Sequence, residues 1–314
     1  MPRAFTLLAV AVAVAVAVVH ASASAQTVRS GPLGLGPTPP RTPGRILVSG
    51  FESDALHAYR VSDGARRGRA TPVPGAQSIV LGRDGLLYVC AEEIDQVVRV
   101  DPETLDVLGP FVWDDPLTVA DENGPLDGPT SATFGPGGDL FVASFETDQV
   151  LRFDGASGAY EGVFVSAALG GLNGPDAGTK FGPDGLLYVP SFWNDRVLRY
   201  DSDGVFVDEF VAFREGNCRR PRDLVFHDEH WYVASSGNNR ILRFDAAGNF
   251  VSQFATVLQP YSLAFHPFDH ELYVVSLTDN GVYRLDGDNG AVRGAAVPSG
   301  SAGLVGAVYL FFLP

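Results

Sequence analysis

Pro175-Asp176 and Pro221-Arg222 set an acid and a base one residue after a proline, at positions where two other stretches carry Thr130 and Tyr261. Brought to one rim, these two side chains would either neutralise each other or bracket a polar ligand. AFREGNCRRPRD (212–223) gathers Arg214, Arg219, Arg220 and Arg222 in a chain of formal charge −15. Clustered guanidiniums clamp a carboxylate or phosphate, and they also serve simply to compensate acids in adjacent loops. Trp193 and Asn194, in SFWND, offer an aromatic that would stack on a ligand or pack between elements. WDDPLTVADENGPLDGP (113–129) holds Asp114, Asp115, Asp121, Glu122 and Asp127. Such oxygen ligands suit Ca²⁺ or another divalent metal, although the spacing is not that of an EF-hand and a solvated acidic loop has the same composition. His227, His230, His266 and His270 fall in turns without metal-ligand spacing. No Gly-x-Ser-x-Gly elbow or phosphate-binding glycine loop occurs.

The elements that must position these residues are repeats. FGPDGLLYVPSFWNDRVLRYD from Phe181 has close variants in FGPGGDLFVASFETDQVLRFD from Phe134 and LGRDGLLYVCAEEIDQVVRVD from Leu81. Aligning the L-Y-V core gives Leu47, Tyr88, Phe141, Tyr188, Tyr232 and Tyr273, a period in the range of four-stranded propeller blades. Each unit reads as four short β-rich runs separated by Gly, Pro, Asn and Asp turns, and no stretch keeps a helical period. The predicted fold is all-β, a six-bladed β-propeller of four-stranded antiparallel blades. The first unit starts at RILVSGF with no inner strand before it, while GLVGAVYLFFLP (303–314) is one strand too many at the end. The C-terminal strand is therefore expected to complete the first blade, which removes the exposed edges of an open sheet. A sorting segment, the other reading of this tail, lacks the closing basic cluster.

Residues present in every unit belong to the scaffold. Asp54, Asp95, Asp148, Asp195, Asn239 and Asn280 occupy one loop position, where short polar side chains bond local backbone. Arg99, Arg152, Arg199, Arg243 and Arg284 each stand two residues before an aspartate, as a surface ion pair or a turn contact. Function is expected where one blade departs from the rest.

At the N-terminus, Arg3, the apolar run Leu7 to Val19 and Ala23-Ser24-Ala25 read as a signal peptide over residues 1–25. A Pro/Gly-rich linker follows over 26–44, and the propeller covers 45–314. A secreted or periplasmic protein with no stable membrane span is expected. The acidic balance argues against nucleic acid, which is bound through Lys and Arg. Cys90 and Cys218, three repeats apart, are expected to be separate thiols.

Over about residues 45–314 the chain resembles the NHL-repeat β-propellers and their SMP-30/gluconolactonase-like and virginiamycin-B-lyase-like relatives, on FGPDGLLYVPSFWNDRVLRYD and its cousins. The lactonase resemblance implies a divalent metal held by a Glu, an Asn after proline and an Asp after proline that also acts as base. Pro175-Asp176 matches the last of these, with Ala177 in place of the following Gly and one extra residue that suggests a bulge. Pro129-Thr130 stands where the Asn would, and Gly306-Ala307-Val308 offers no Glu. The lyase-like His and Glu constellation has no clear counterpart either. These readings lead to a monomeric propeller that binds a protein or a small-molecule ligand on the face of loops 113–129 and 212–223. The alternative is a metal-dependent hydrolase or lyase with Asp176 at the channel mouth.

Overall fold

Residues 44–113 and 124–313 are described by a computed structural model; the proposed signal peptide, nearly all of the linker, and Asp114 and Asp115 lie outside this range. Six four-stranded antiparallel sheets follow one another along the chain. Blade 2 runs Ala76–Leu81, Leu87–Ala91, Gln96–Val100 and Val107–Val112, from the channel outward. Blades 3 to 6 begin at Pro129–Phe134, Lys180–Phe181, Pro221–His227 and Pro260–Phe265. The first blade takes its inner strand from the far end of the chain: Ala307–Leu313 pairs with Arg45–Gly50, from Arg45 opposite Leu313 to Gly50 opposite Ala307. Closure is thus as the strand count predicts.

Second strands such as Leu187–Ser191 and Leu140–Ser144 are buried along their whole length. They have a blade packed against each face, so the L-Y-V runs are continuous rather than alternating. The aligned aromatics form the wedges between blades. Tyr88 meets Phe134 at 5.0 Å between ring centroids, Phe141 meets Phe181 at 5.1 Å, and Tyr232 meets Phe265 at 4.9 Å. Tyr273 meets Phe312 of the closing strand at 4.9 Å, so the C-terminal segment repeats the contact made by every other inner strand of this set.

The recurrent Asp/Asn position links neighbouring blades. All six residues have left-handed backbone, with φ from 49° at Asn280 to 63° at Asn239. Each side chain accepts a backbone N–H at the entrance to the next blade: Asp54 from Gly75 at 2.9 Å, Asp95 from Gly128 at 2.8 Å, Asp148 from Gly174 at 2.6 Å, Asp195 from Arg220 at 2.9 Å, Asn239 from Gln259 at 2.9 Å and Asn280 from Gly306 at 2.6 Å. Sequence reasoning assigned these residues to their own turn. They are clasps between blades, because the left-handed turn aims the side chain sideways.

Of the two readings of the Arg-x-Asp repeat, the turn contact holds for the aspartates, and Arg152, Arg199 and Arg284 pair with acids other than their own aspartate. The aspartates close their own turns, as Asp101 does on the N–H groups of Glu103 and Thr104. The arginines reach other acids: Arg152 to Asp139 and Glu161, Arg199 to Asp184 and Asp208, Arg284 to Glu271. Cys90 and Cys218 are separate buried thiols, and burial pushes both up to about 12, which leaves them unreactive. Among the described residues no helix is long and apolar enough to cross a membrane.

Candidate ligand site at the channel mouth

The inner strands bulge at their first residues. In blade 2, Ala76 pairs with Ala91 and Ile79 with Val89, so Gln77 and Ser78 stand opposite one residue; the same shift separates Pro221 from Leu224 and Pro260 from Leu263. A bulge re-aims side chains out of the ladder. The equivalent residues, one per blade, are Gln77, Thr130, Asp176, Arg222, Tyr261 and Val308, and all of them but the buried Asp176 line the mouth. Blade 4 goes further, since the bridge of Pro175 to Ser191 is followed by pairing only at Lys180 with Tyr188. The extra residue inferred from the sequence lies in this gap, held by the Gly178 N–H donating to the Arg222 carbonyl at 2.8 Å.

Asp176 and Arg222 meet. Arg222 Nη1 donates to Asp176 Oδ2 at 2.8 Å, and the Ala177 N–H donates to Oδ1 at 2.7 Å. Of the two outcomes open in the sequence they neutralise each other, and they do so out of water: Asp176 is fully buried and the Arg222 side chain is 19% exposed. Its guanidinium lies 4.2 Å from the ring centroids of both Phe192 and Tyr261, a cation between two aromatic faces. Burial pushes the Asp176 carboxyl above its ordinary value, against the pull of Arg222 and the Ala177 N–H.

Across the rim, the Tyr261 hydroxyl donates to Gln77 Oε1 at 3.3 Å, and Gln77 Nε2 donates to Glu92 Oε2. Burial pushes the Glu92 carboxyl up to about 7; the Gln77 amide opposes this, and the charge on Asp176 adds to it. Around these groups lies a cavity of about 400 Å³ whose lining also includes Phe51, Phe145, Phe192, Trp193, Leu277 and Val308. A mostly apolar concavity with a few convergent polar groups is the usual form of a small-ligand site. Glu92 and Gln77 escaped the sequence reading. The signal was nevertheless present, because Glu92 stands where other blades carry Phe51, Phe145, Phe192 and Leu277, and Gln77 shares the rim position of Asp176 and Arg222.

The other candidates are distributed as follows. Trp193 is 55% exposed and lines both the mouth and a neighbouring cleft with Arg214, Arg219 and Arg220. Asn194 is turned away, its amide donating to the Gly171 carbonyl. Arg214 and Arg219 approach Asp195 at 3.0 and 3.7 Å, so part of the arginine cluster does compensate an acid.

The metal implied by the lactonase resemblance does not fit these residues. Asp176 is engaged by a guanidinium, Thr130 donates its hydroxyl to the Pro175 carbonyl at 2.9 Å, and Val308 is apolar. Clusters of metal-ligand type among the described residues, His227 with Asp228 and His270, and Asp139 with Asp154 and Glu161, do not include Asp176.

Glu92 gives the first expected result. Its folded value lies above the ordinary 4.5, so its contribution to stability declines as pH rises from about 4.5 to about 7 and is level above. Glu92→Gln should therefore stabilise the protein by about 2 kcal/mol above pH 7 and by little near pH 4.5, the shift being discounted for partial exposure. Denaturant melts of both proteins across this range check it; parallel stability curves would contradict it.

Fold and rim together define a closed six-bladed β-propeller with a mostly apolar pocket that carries a few polar groups at its channel mouth. No family model matches the sequence, and no curated protein does. Among solved structures, the chain is similar to one from a nidogen/laminin complex, with TM-score 0.66 and 14% identity over 85% of this chain and 97% of that one. It is also similar to a virginiamycin B lyase from Staphylococcus aureus, solved as a catalytically inactive variant with quinupristin, with TM-score 0.57 and 14% identity over 83% and 87% of the two chains. A protein of unknown function from Bacteroides caccae gives TM-score 0.63 at 12% identity over 85% and 98%. At these identities the likeness is one of fold.

Proposed function

We propose that this propeller is a binding protein for a small organic ligand seated at the channel mouth. The ligand offers a planar apolar face to Phe192, Trp193 and Phe145 and a cationic or neutral hydrogen-bond donor to Glu92. The observation that carries this reading is Glu92 itself, a carboxyl raised to about 7 in the wall of a cavity lined by Phe51, Phe145, Phe192 and Trp193. A folded chain retains such a costly group where a partner repays it. The Asp176–Arg222 pair supports the reading as fixed scenery, because each charge already has its partner and the rings hold the guanidinium still.

Benzylammonium is a suitable probe, having one ring and one donor. Calorimetric titration should show saturable binding to the intact protein that strengthens as pH rises through about 7, where Glu92 ionises. Glu92→Gln should weaken it about tenfold, the loss of one charge-assisted hydrogen bond. Binding that is indifferent to both pH and Glu92 would dismiss this site.

Protein docking on the same face is a second reading, favoured by the exposure of Trp113, Phe213, Leu258 and Val305 on loops that enter the inner strands. The nidogen/laminin complex is a case of such a fold in a protein assembly.

A further inference from the structure

Beside the mouth, Trp193, Asp195, Arg214, Arg219 and Arg220 line an adjoining cleft of about 620 Å³. Three guanidiniums face one carboxylate there, in a chain with 22 basic and 37 acidic residues. Asp195 draws in Arg214 and Arg219, whereas the Arg220 guanidinium lies 5.5 Å from the Phe192 ring and 5.4 Å from the Trp193 ring.

The backbone shows that Arg220 departs from the repeat. Its φ is 48°, and the equivalent positions are Gly75, Gly128, Gly174 and Gly306 with φ of 57°, 64°, 66° and 65°, and Gln259 with 38°. Four blades use glycine for a left-handed turn that disfavours side chains. In those blades the glycine is faced by a side-chain-bearing residue: a Cβ at Gly75 would meet Glu93 N at 2.6 Å, at Gly174 Trp193 Cδ1 at 2.7 Å, and at Gly306 Glu52 N at 2.7 Å. Blade 5 reverses the arrangement. Gly237 stands where Glu52, Glu93, Glu146 and Trp193 stand, and a Cβ there would meet Arg219 Cβ at 3.1 Å and Arg220 Cγ at 3.3 Å. Glycine and side chain have changed places, and the exchange both opens the cleft and installs a guanidinium. Arg214, with φ 60°, is a second arginine in left-handed backbone, at the position of Ala168 and Gly300. Two strained arginines at one cleft exceed what compensation of a single Asp195 requires.

We infer that this cleft is an oxyanion site, taking a phosphate or sulfate ester whose attached ring lies on Trp193. Two net positive charges match a dianion, guanidiniums match its oxygens, and an indole 55% exposed at the edge supplies the stacking face. The cleft shares Trp193 and Arg220 with the mouth, whereas Asp195, Arg214 and Arg219 line the cleft and not the mouth, and Glu92 lines the mouth and not the cleft.

The test uses phenyl phosphate, phenyl sulfate and phenol, titrated into the intact protein by calorimetry. Both esters should bind at least about tenfold more tightly than phenol, and the phosphate more tightly than the sulfate if the dianion matters. Arg220→Gly restores the glycine of the other blades, so it should keep or raise the melting temperature while weakening ester binding about tenfold. Arg219→Gln should weaken it further, and Glu92→Gln should leave it unchanged. Ester affinity no greater than that of phenol, or affinity retained in Arg220→Gly with Arg219→Gln, would overturn the site. A fall in melting temperature on Arg220→Gly with unchanged binding would make Arg220 a structural residue and overturn it equally.

Discussion

Deletion of residues 303–314 should yield a protein without a cooperative melt, recovered mainly as aggregate. The deletion strips Ala307, Val308, Leu310 and Leu313, each no more than 3% exposed, off Arg45–Gly50. At roughly 1.5–3 kcal/mol for each of the larger side chains, the lost burial alone is about 6 kcal/mol. The net stability of a domain is about 5–15 kcal/mol, so this one strand accounts for much of it. The Tyr273–Phe312 wedge and the Asn280 clasp on Gly306 go as well, and a hydrophobic edge is laid bare. Circular dichroism melts and size-exclusion chromatography measure the outcome. A truncated protein that melts as the full chain does would show that the ring closes by other means.

The second large effect concerns the pair at the rim. Arg222→Met leaves Asp176 fully buried without its guanidinium and should cost about 3–5 kcal/mol at neutral pH. The sign of its pH dependence follows from the direction of the carboxyl. With Arg222 gone, the folded-state value of Asp176 rises further above its ordinary 3.8. The variant therefore recovers stability relative to the native chain as pH falls and the carboxyl takes up its proton. Asp176→Ala should cost less, because the freed guanidinium keeps its two ring contacts and some solvent. Asp176→Leu with Arg222→Met should restore most of the stability, as apolar replacements of buried pairs often do. Urea titrations at several pH values distinguish these results; equal losses at every pH would place the pair back at a solvated rim.

The sequence made the architecture legible because each blade states the same pattern. An L-Y-V run flanked by Gly and Asp turns is a buried second strand wherever it occurs, and a missing strand at Arg45 beside a surplus one at Ala307 has one simple resolution. Asp176 and Arg222 were legible as a pair for the same reason, since a proline marks the start of both stretches. Their burial was not legible, because it depends on Phe192 and Tyr261, from the blades on either side of Arg222, closing over the guanidinium. The clasp partners of Asp54 and its equivalents were hidden likewise, as a left-handed turn sends a side chain to a neighbour 20 or more residues away along the chain. Glu92 was overlooked for a simpler reason. Beside Glu93 and Asp95 in one turn, its carboxyl has the sequence context of any solvated acid.

Whether Glu92 and its aromatic rim receive a ligand can be seen in a crystal soak with benzylammonium above pH 7. The ring should lie between Phe192, Trp193 and Phe145 with its ammonium on the Glu92 carboxylate, and no such density should appear in Glu92→Gln crystals. A probe bound elsewhere on the face, or one occupying the mouth equally without Glu92, would contradict it.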